Sequence, residues 1–440
     1  MSDFSESFMK RQFMNYSVSM VNTNLVRIAT LLLQRAPMEL VIDQIKQLKS
    51  WPNIVAQDML SATLLDVFRF PLAPSYVQYC AKLVISLIDA EGGEWSDSLL
   101  ELLLGVGSRG CDRGSGLVPS DVNNRSYCGF IVDQRIANHT ENDANTEIVY
   151  CTVDTSHNLV GFKTWGAGIF LSELCFNFPM LLADKTVLEL GTGVGMTGII
   201  ASRTYPPPRC FAMTDFSPDV VDNIRNNIEM NQCALEECSP SEGHTLYTVM
   251  KCGKLDWMHV AASYMEAGSP QDNDLENILP VSCGNQVTDS SSSCWDDFDV
   301  LLAADCTYSE DIIGSVMKVI EVFLWQESPD AVGISDAEVN SGTDTSKFAL
   351  LVSTIRSEET WQCLIDQMVE SNLQCIDITT WAHGAANGKA DDSEISRRIE
   401  FHCYFRERIR VICMLKKGSS LPSYMTPNQI DTCISSTNKI

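Results

Sequence analysis

The 440-residue chain predicts an α/β fold. It comprises a Rossmann-like seven-stranded sheet preceded by a helical N-terminal domain and a β-hairpin. Three observations predict this. From Trp165 onward, apolar strand-like runs alternate with segments of helical periodicity, the pattern of an open sheet covered on both faces. Between residues 20 and 104 the apolar residues recur at helical spacing. Between these regions lie two β-like runs joined by a polar stretch. The expected boundaries are 1–110 for the helical domain, 111–160 for the linker and hairpin, 161–418 for the α/β domain and 419–440 for a disordered Ser/Thr-rich tail.

In the first region Leu25, Ile28, Leu31 and Leu32, then Leu40, Ile42, Ile45 and Leu48, mark apolar helix faces. Pro37 and Pro52 punctuate them. Further helices are predicted over 58–68, 75–88 and 96–104, the last with Ser96 as N-cap. The segment holds no polar cluster of catalytic type, so it reads as a packing or docking domain. Residues 105–125 are rich in Gly, Ser, Asp and Asn, a linker composition. The hairpin strands follow at 125–134 and 147–154.

In the α/β region the strands are expected at 186–190, 209–214, 246–252, 299–304, 348–355, 373–379 and 408–414. Helices are expected over 196–202, 218–231, 312–325 and 358–370, with an amphipathic helix over 169–177. Residues 260–297 are rich in Ser, Asp, Glu and Asn and read as a flexible acidic insertion. No Lys or Arg occurs between Lys254 and Lys318.

Composition narrows the function. The formal net charge of -26 repels a phosphate backbone, so nucleic acid is not an expected partner. The acidity either attracts a basic protein surface or only keeps the chain soluble. The 17 Cys are scattered without a Cys-x-x-Cys pair, and the 6 His show no ligand spacing with them, so no metal site is expected. Neither a signal-peptide core nor an apolar run of membrane-spanning length is present. These features predict a soluble, monomeric, cytoplasmic protein with reduced thiols, the nucleus remaining open.

The strongest motif is Glu189-Leu190-Gly191-Thr192-Gly193-Val194-Gly195, a strand end running into a glycine-rich turn and then a helix. Small residues let the backbone approach a ligand closely. The binding crevice of such a sheet lies outside the carboxyl ends of its strands. The spacing is Gly-x-Gly-x-Gly, unlike the Gly-x-Gly-x-x-Gly of dinucleotide folds. An adenosyl sulfonium has no pyrophosphate to cradle, and its cationic end favours a carboxylate such as Glu189. Asp215, at the end of the second strand, can accept both ribose hydroxyls. Asp256 can accept from an adenine amino group, and Trp257 either walls the adenine pocket or belongs to the core. Trp165 either closes over the methionine end of the cofactor or anchors the hairpin to the sheet.

Asp299 to Tyr308 form the fourth strand and its exit, with Ala304, Asp305 and Tyr308 at its carboxyl edge. Asp305 can hold an acceptor amine, with Tyr308 orienting it, or it can cap the helix near Ser309. Methylation of nucleobase amines usually employs Asn-Pro-Pro-Tyr here. This chain has Asp-Cys-Thr-Tyr, which points to an amine on a protein.

With Thr164-Trp165-Gly166-Ala167, Val187 to Gly193, Leu255-Asp256-Trp257 and Ala304 to Tyr308 in place, residues 125–417 resemble the eukaryotic seven-β-strand protein lysine methyltransferases, methyltransferase family 16. The helical N-terminal segment, the hairpin and Lys163-Thr164-Trp165 are most similar to the branch acting on elongation factor 2. The resemblance implies the seven-stranded methyltransferase sheet, S-adenosyl-L-methionine as cofactor and a lysine of translation elongation factor 2 as substrate. It implies a cofactor pocket lined by Trp165, Glu189, Gly191, Thr192, Gly193, Gly195, Asp215, Asp256, Trp257 and Ala304. Asp305 and Tyr308 match its Asp-x-x-Tyr motif as catalytic residues. The insertion at 260–297 and Met196 depart from the pattern. Two alternatives carry different tests: a non-catalytic cofactor-binding interaction protein, and a methyltransferase of small molecules or RNA.

Overall fold

The computed structural model describes residues 23–67, 74–104, 125–136, 145–154, 160–231, 233, 248–267, 294–325, 347–387, 395–399, 401, 404–425 and 432–433. Its first elements are α1 (Thr23–Leu33), α2 (Met38–Ile45), α3 (Ile54–Val67), α4 (Pro74–Ala90), α5 (Asp97–Leu104), β1 (Arg125–Ile136) and β2 (Asn145–Asp154). Then come α6 (Gly166–Asn177), β3 (Thr186–Leu190), α7 (Met196–Ala201), β4 (Cys210–Asp215), α8 (Pro218–Met230), β5 (Val249–Lys254) and α9 (Trp257–Ala267). The chain continues with β6 (Val300–Ala304), α10 (Glu310–Trp325), β7 (Phe348–Thr354), α11 (Glu358–Glu370), β8 (Leu373–Asp377), α12 (Thr379–Ala386), β9 (Ile395–Ile399), β10 (Ile409–Lys416) and β11 (Thr432–Cys433). The chain divides into two compact units, Met1–Leu159 with Glu394–Cys403, and Val160–Ser393 with Tyr404–Ile440.

In the first unit, the faces of α1 and α2 bury Leu25, Ile28, Leu31, Leu32, Met38, Val41 and Ile45 against Leu60, Val84, Ile88 and Leu99. Leu40, expected in this face, is exposed: α2 starts at Met38, so positions 38, 41 and 45 face inward. Ser96 caps α5 as expected, its Oγ accepting from Leu99 N at 3.2 Å. The sequence did not flag Gln57. It is fully buried, donates to the carbonyls of Pro52 and Glu94 at 2.6 and 2.8 Å, and accepts from Ser96 N at 2.8 Å. One amide thereby satisfies three backbone groups.

The hairpin belongs to this same unit rather than to a separate segment, because α1 packs on β1. A third strand, β9, was not anticipated; it pairs antiparallel with β1 and gives the order β2-β1-β9. The linker at 105–124 lies outside the described residues.

The second unit is built on an eight-stranded sheet in the order β11-β8-β10-β7-β6-β3-β4-β5. Strands β3 to β7 run parallel, and β10 enters antiparallel between β7 and β8. The seven expected strands are all present. Because β3 pairs with β4 on one side and β6 on the other, successive connections reverse direction there. That switch point opens a crevice at the carboxyl ends of β3, β4 and β6. All five residues of β3 are buried, as a central strand covered on both faces requires.

Three expectations need correction, and one helix went unassigned. Helix α6 is buried nearly all round, from Ile169 to Asn177, rather than amphipathic, because it is enclosed by α7, α12, β6, β7 and β10. The insertion is shorter than 260–297 at both ends. Residues 260–267 complete α9, with Val260 and Ala261 buried, and a 3-10 turn over Cys294–Asp297 buries Trp295 completely. That turn is tied to β3 through Thr186 Oγ1, which donates to Asp297 O at 2.6 Å. Residues 268–293 lie outside the described residues. Helix α12 was missed. The tail beyond 418 is ordered in part: Met425 is buried, the Tyr424 and Phe178 rings lie 5.8 Å apart, and β11 pairs with β8. Residues 426–431 and 434–440 lie outside the described residues.

Candidate active site

The turn after β3 takes its shape from three glycines with left-handed backbones, Gly191 (φ 57), Gly193 (φ 59) and Gly195 (φ 81). At Gly191 there is also no room for a side chain. A Cβ there would lie 2.9 Å from Trp257 Cζ2 and 3.0 Å from Cys306 Sγ. The loop is held from below by neighbours far along the chain. Thr192 N donates to Thr214 O at 2.9 Å, and Asn227 Nδ2, which sequence reasoning missed, donates to Val194 O at 2.8 Å. Thr214 Oγ1 donates to Glu189 O at 2.7 Å, locking the ends of β3 and β4 together.

Glu189 is buried and accepts from the hydroxyls of Thr192 and Thr197. Burial pushes its carboxyl up to about 7, and the two threonine hydroxyls oppose that rise. Asp215 ends β4 and accepts from Gly193 N at 3.3 Å and Ser217 N at 3.1 Å, so it faces the glycine loop. Its carboxyl is also raised by burial, against the backbone N–H groups of Ser217, Gly193 and Phe216. Ser217 makes no side-chain cap at the start of α8. Asp256 Oδ1 does cap α9, accepting from Met258 N at 3.0 Å and His259 N at 3.2 Å. Trp257 lies against Gly191, and its buried Nε1 has no partner among the described residues.

At the exit of β6 the carboxylate of Asp305 has many partners. It accepts from Ala167 N (3.2 Å), Thr354 N (2.9 Å), Thr354 Oγ1 (3.1 Å), Arg356 Nη1 (3.2 Å) and Arg356 Nη2 (2.8 Å). Neither sequence reading of Asp305, amine holder or cap for the helix near Ser309, anticipated these bonds. Its backbone is left-handed (φ 53), a conformation held by this network. Arg356, just beyond β7, also stands 5.1 Å over the Trp165 ring, and Trp165 Nε1 donates to Val160 O at 3.1 Å. Three separate landmarks thus meet: the Trp165-Gly166-Ala167 turn, the Asp305 exit and the end of β7. The sequence reading missed Arg356; the only signal was an isolated cation beyond an apolar strand. Ala304 ends β6 beside this network, and Tyr308 is 56% exposed in a cleft shared with Asp305, Thr307, Arg356, Thr360 and Trp361. Phe216, Met258 and Trp165 are exposed at the same sheet edge.

The switch-point crevice, the glycine loop and the acidic residues at the ends of β3 and β4 define the class: a methyltransferase fold that takes S-adenosylmethionine. The residues present fit that cofactor, because the loop leaves space only a glycine backbone permits and Glu189 and Asp215 face it with acceptor oxygens. Residues 146–268 match the model of the lysine methyltransferase family. The match stops before β6, so Asp305, Tyr308 and Arg356 lie beyond it. Mouse protein-lysine N-methyltransferase EEF2KMT is 26% identical over 223 residues, covering 50% of this chain and 52% of that protein. The protein N-terminal and lysine N-methyltransferase efm7 of Emericella nidulans is 30% identical over 190 residues, covering 43% of this chain and 61% of that one. The chain thus spans about half the length of EEF2KMT. An O-methyltransferase from Bacillus cereus, solved with SAH, aligns with 59% of this chain and 85% of its own at 12% identity and a TM-score of 0.29. Among the described residues no cluster of His, Cys, Asp and Glu is suited to a metal, and no helix is long and apolar enough to cross a membrane.

Proposed function

We propose that the protein is an S-adenosylmethionine-dependent protein-lysine N-methyltransferase and that its substrate is a lysine of translation elongation factor 2, modified in the cytoplasm. The observation that carries the reading is the crevice at the ends of β3, β4 and β6, where the glycine loop, Glu189 and Asp215 converge beside the Asp305–Tyr308 cleft. By their positions Glu189 and Asp215 hold the cofactor's cationic and ribose ends, and Trp257 closes over the loop. When bound, the cofactor supplies a methyl group on a cationic sulfur. Glu189 and Asp215 would hold that group at the crevice, and the cleft would leave the lysine Nε to offer its lone pair and release its surplus proton to water. An in-line displacement of this kind needs alignment and a dry, shaped cleft more than it needs an acid or base. Tyr308 walls the acceptor side. The exposed Trp165, Phe216 and Met258 suit docking of a folded protein rather than a small molecule. The names of the relatives support a lysine acceptor, and EEF2KMT supports elongation factor 2.

The test is methyl transfer from labelled S-adenosylmethionine to elongation factor 2 purified from cells lacking this chain, read by mass spectrometry. A methylated lysine is expected. Label in another protein would replace the substrate. Bound cofactor with no label in any protein would favour the non-catalytic reading.

A further inference from the structure

The acceptor cleft contains a charge arrangement that the glycine loop and the motif residues do not account for. Asp305 lies at its floor with a side chain 6% exposed, and its bidentate partner Arg356 is 41% exposed. The guanidinium is clamped between that carboxylate and the Trp165 ring. Fork-to-fork pairing of this kind fixes an arginine in one plane. Among the described residues, the charged and titratable groups around the pair are these. From β3 and β4 come Glu189 and Asp215, which are turned to the glycine loop. From the β6 exit come Tyr308 and Cys306, the thiol donating to Leu190 O at 3.1 Å. From α11 comes Glu359, which is engaged by Ser357 Oγ at 2.6 Å.

We propose that Arg356 is a positioning residue of the acceptor site, which neutralises Asp305 and so keeps the cleft from holding an incoming lysine as its unreactive ammonium. The inference rests on the reading that the protein methylates lysine. An attacking lysine must be neutral, and a bare carboxylate within a few ångströms favours the charged ammonium instead. Were Arg356 uncharged, Asp305 would keep its bonds to Ala167 N and Thr354 but would present an unbalanced negative charge to the acceptor nitrogen. With Arg356 in place the cleft floor is a neutral pair, and the guanidinium beside it works against ammonium formation. The Trp165 ring holds the arginine in the orientation that serves Asp305.

The test is a pH profile of methyl transfer by the full chain at saturating S-adenosylmethionine, with purified elongation factor 2 as acceptor. In Arg356→Gln the rising limb should move to higher pH by about one unit, so that the deficit is large near neutrality and shrinks above pH ~9. Arg356→Lys keeps the charge without the fork and should hold the wild-type limb at a lower rate. Asp305→Asn combined with Arg356→Gln removes both charges and should return the limb to its wild-type position. Calorimetric binding of the thioether product, S-adenosylhomocysteine, confirms that each variant is folded. A uniform loss across the pH range in Arg356→Gln, or an alkaline shift in Arg356→Lys, would overturn the proposal. Absence of transfer by the wild-type protein would overturn the function itself, and this inference with it.

Discussion

The glycine loop runs from Glu189 to Gly195 in one uninterrupted segment. The acceptor cleft is assembled by Asp305, which reaches Ala167 across 138 positions, Thr354 across 49 and Arg356 across 51. Both lie at the same edge of one sheet, yet the first is specified by backbone shape and the second by side-chain hydrogen bonds. A loop of left-handed glycines leaves a local signature, because few other residues tolerate those dihedrals. A carboxylate that joins three distant segments shows only its own Asp-x-x-Tyr motif, and its partners leave no signature because each taken alone is an ordinary Ala, Thr or Arg. The contrast teaches that the binding half of such a site is encoded locally and the reacting half by the tertiary fold.

The contrast can be broken most strongly at Gly191. A Gly191→Ala change adds a Cβ 2.9 Å from the Trp257 ring at a left-handed position. Strain of about 3 kcal/mol corresponds to roughly a hundredfold loss of cofactor affinity by calorimetry. The Asp305–Arg356 pair, whose bonds run to Ala167 and Thr354, should persist in this variant. Wild-type affinity in this variant would show that backbone shape does not specify the binding half.

Asp305→Ala attacks the other half. It leaves Ala167 N and Thr354 N without their acceptor and Arg356 without its partner, and orphaned donors of this kind together cost about 3 kcal/mol. Scanning calorimetry should show the second unit melting roughly 8 °C lower, with transfer abolished and cofactor affinity within about threefold of wild type. An undisturbed melting temperature would mean that the network does not join the three segments.

The smallest effect is a titration. The Glu189 carboxyl is raised to about 7 by burial, above its ordinary value of 4.5. Its contribution to stability is therefore present at low pH and lost as pH rises through about 7, since the folded state binds the proton more tightly. Cofactor binding should run the other way, tightening roughly tenfold from about pH 6 to 8 as the carboxylate ionises beside a cation. Both dependences should flatten in Glu189→Gln. A wild-type pH dependence in that variant would assign the titration to another group.

The legibility of the fold follows the same division. The apolar runs of β3, β6 and β7 were legible to within a residue or two, since buried parallel strands read as continuous hydrophobic stretches. Helix α12 escaped because it spans only eight residues and the strand expected over 373–379 took in its first residue, although Trp381, Ala382, Ala385 and Ala386 form a buried face. The start of the insertion misled because polar composition downstream hid Val260, Ala261 and Tyr264, which pack inward. The Ser/Thr-rich tail misled in the same way around Met425. Strand β9 has its partner in β1, far back along the chain, and no local pattern announces such a pairing. In the site, Asp215 and Glu189 were legible as strand-end acids. Asp256 was legible as an acid but also caps α9, and Arg356 and Asn227 depend on neighbours that only folding brings close.

The measurement that bears most directly on the central claim is calorimetric titration of the full chain with S-adenosylmethionine and with its thioether product. Saturable one-to-one binding of both, lost in Gly191→Ala, is the expected result. A protein that is folded by scanning calorimetry yet binds neither compound would contradict the assignment of the crevice at the ends of β3, β4 and β6.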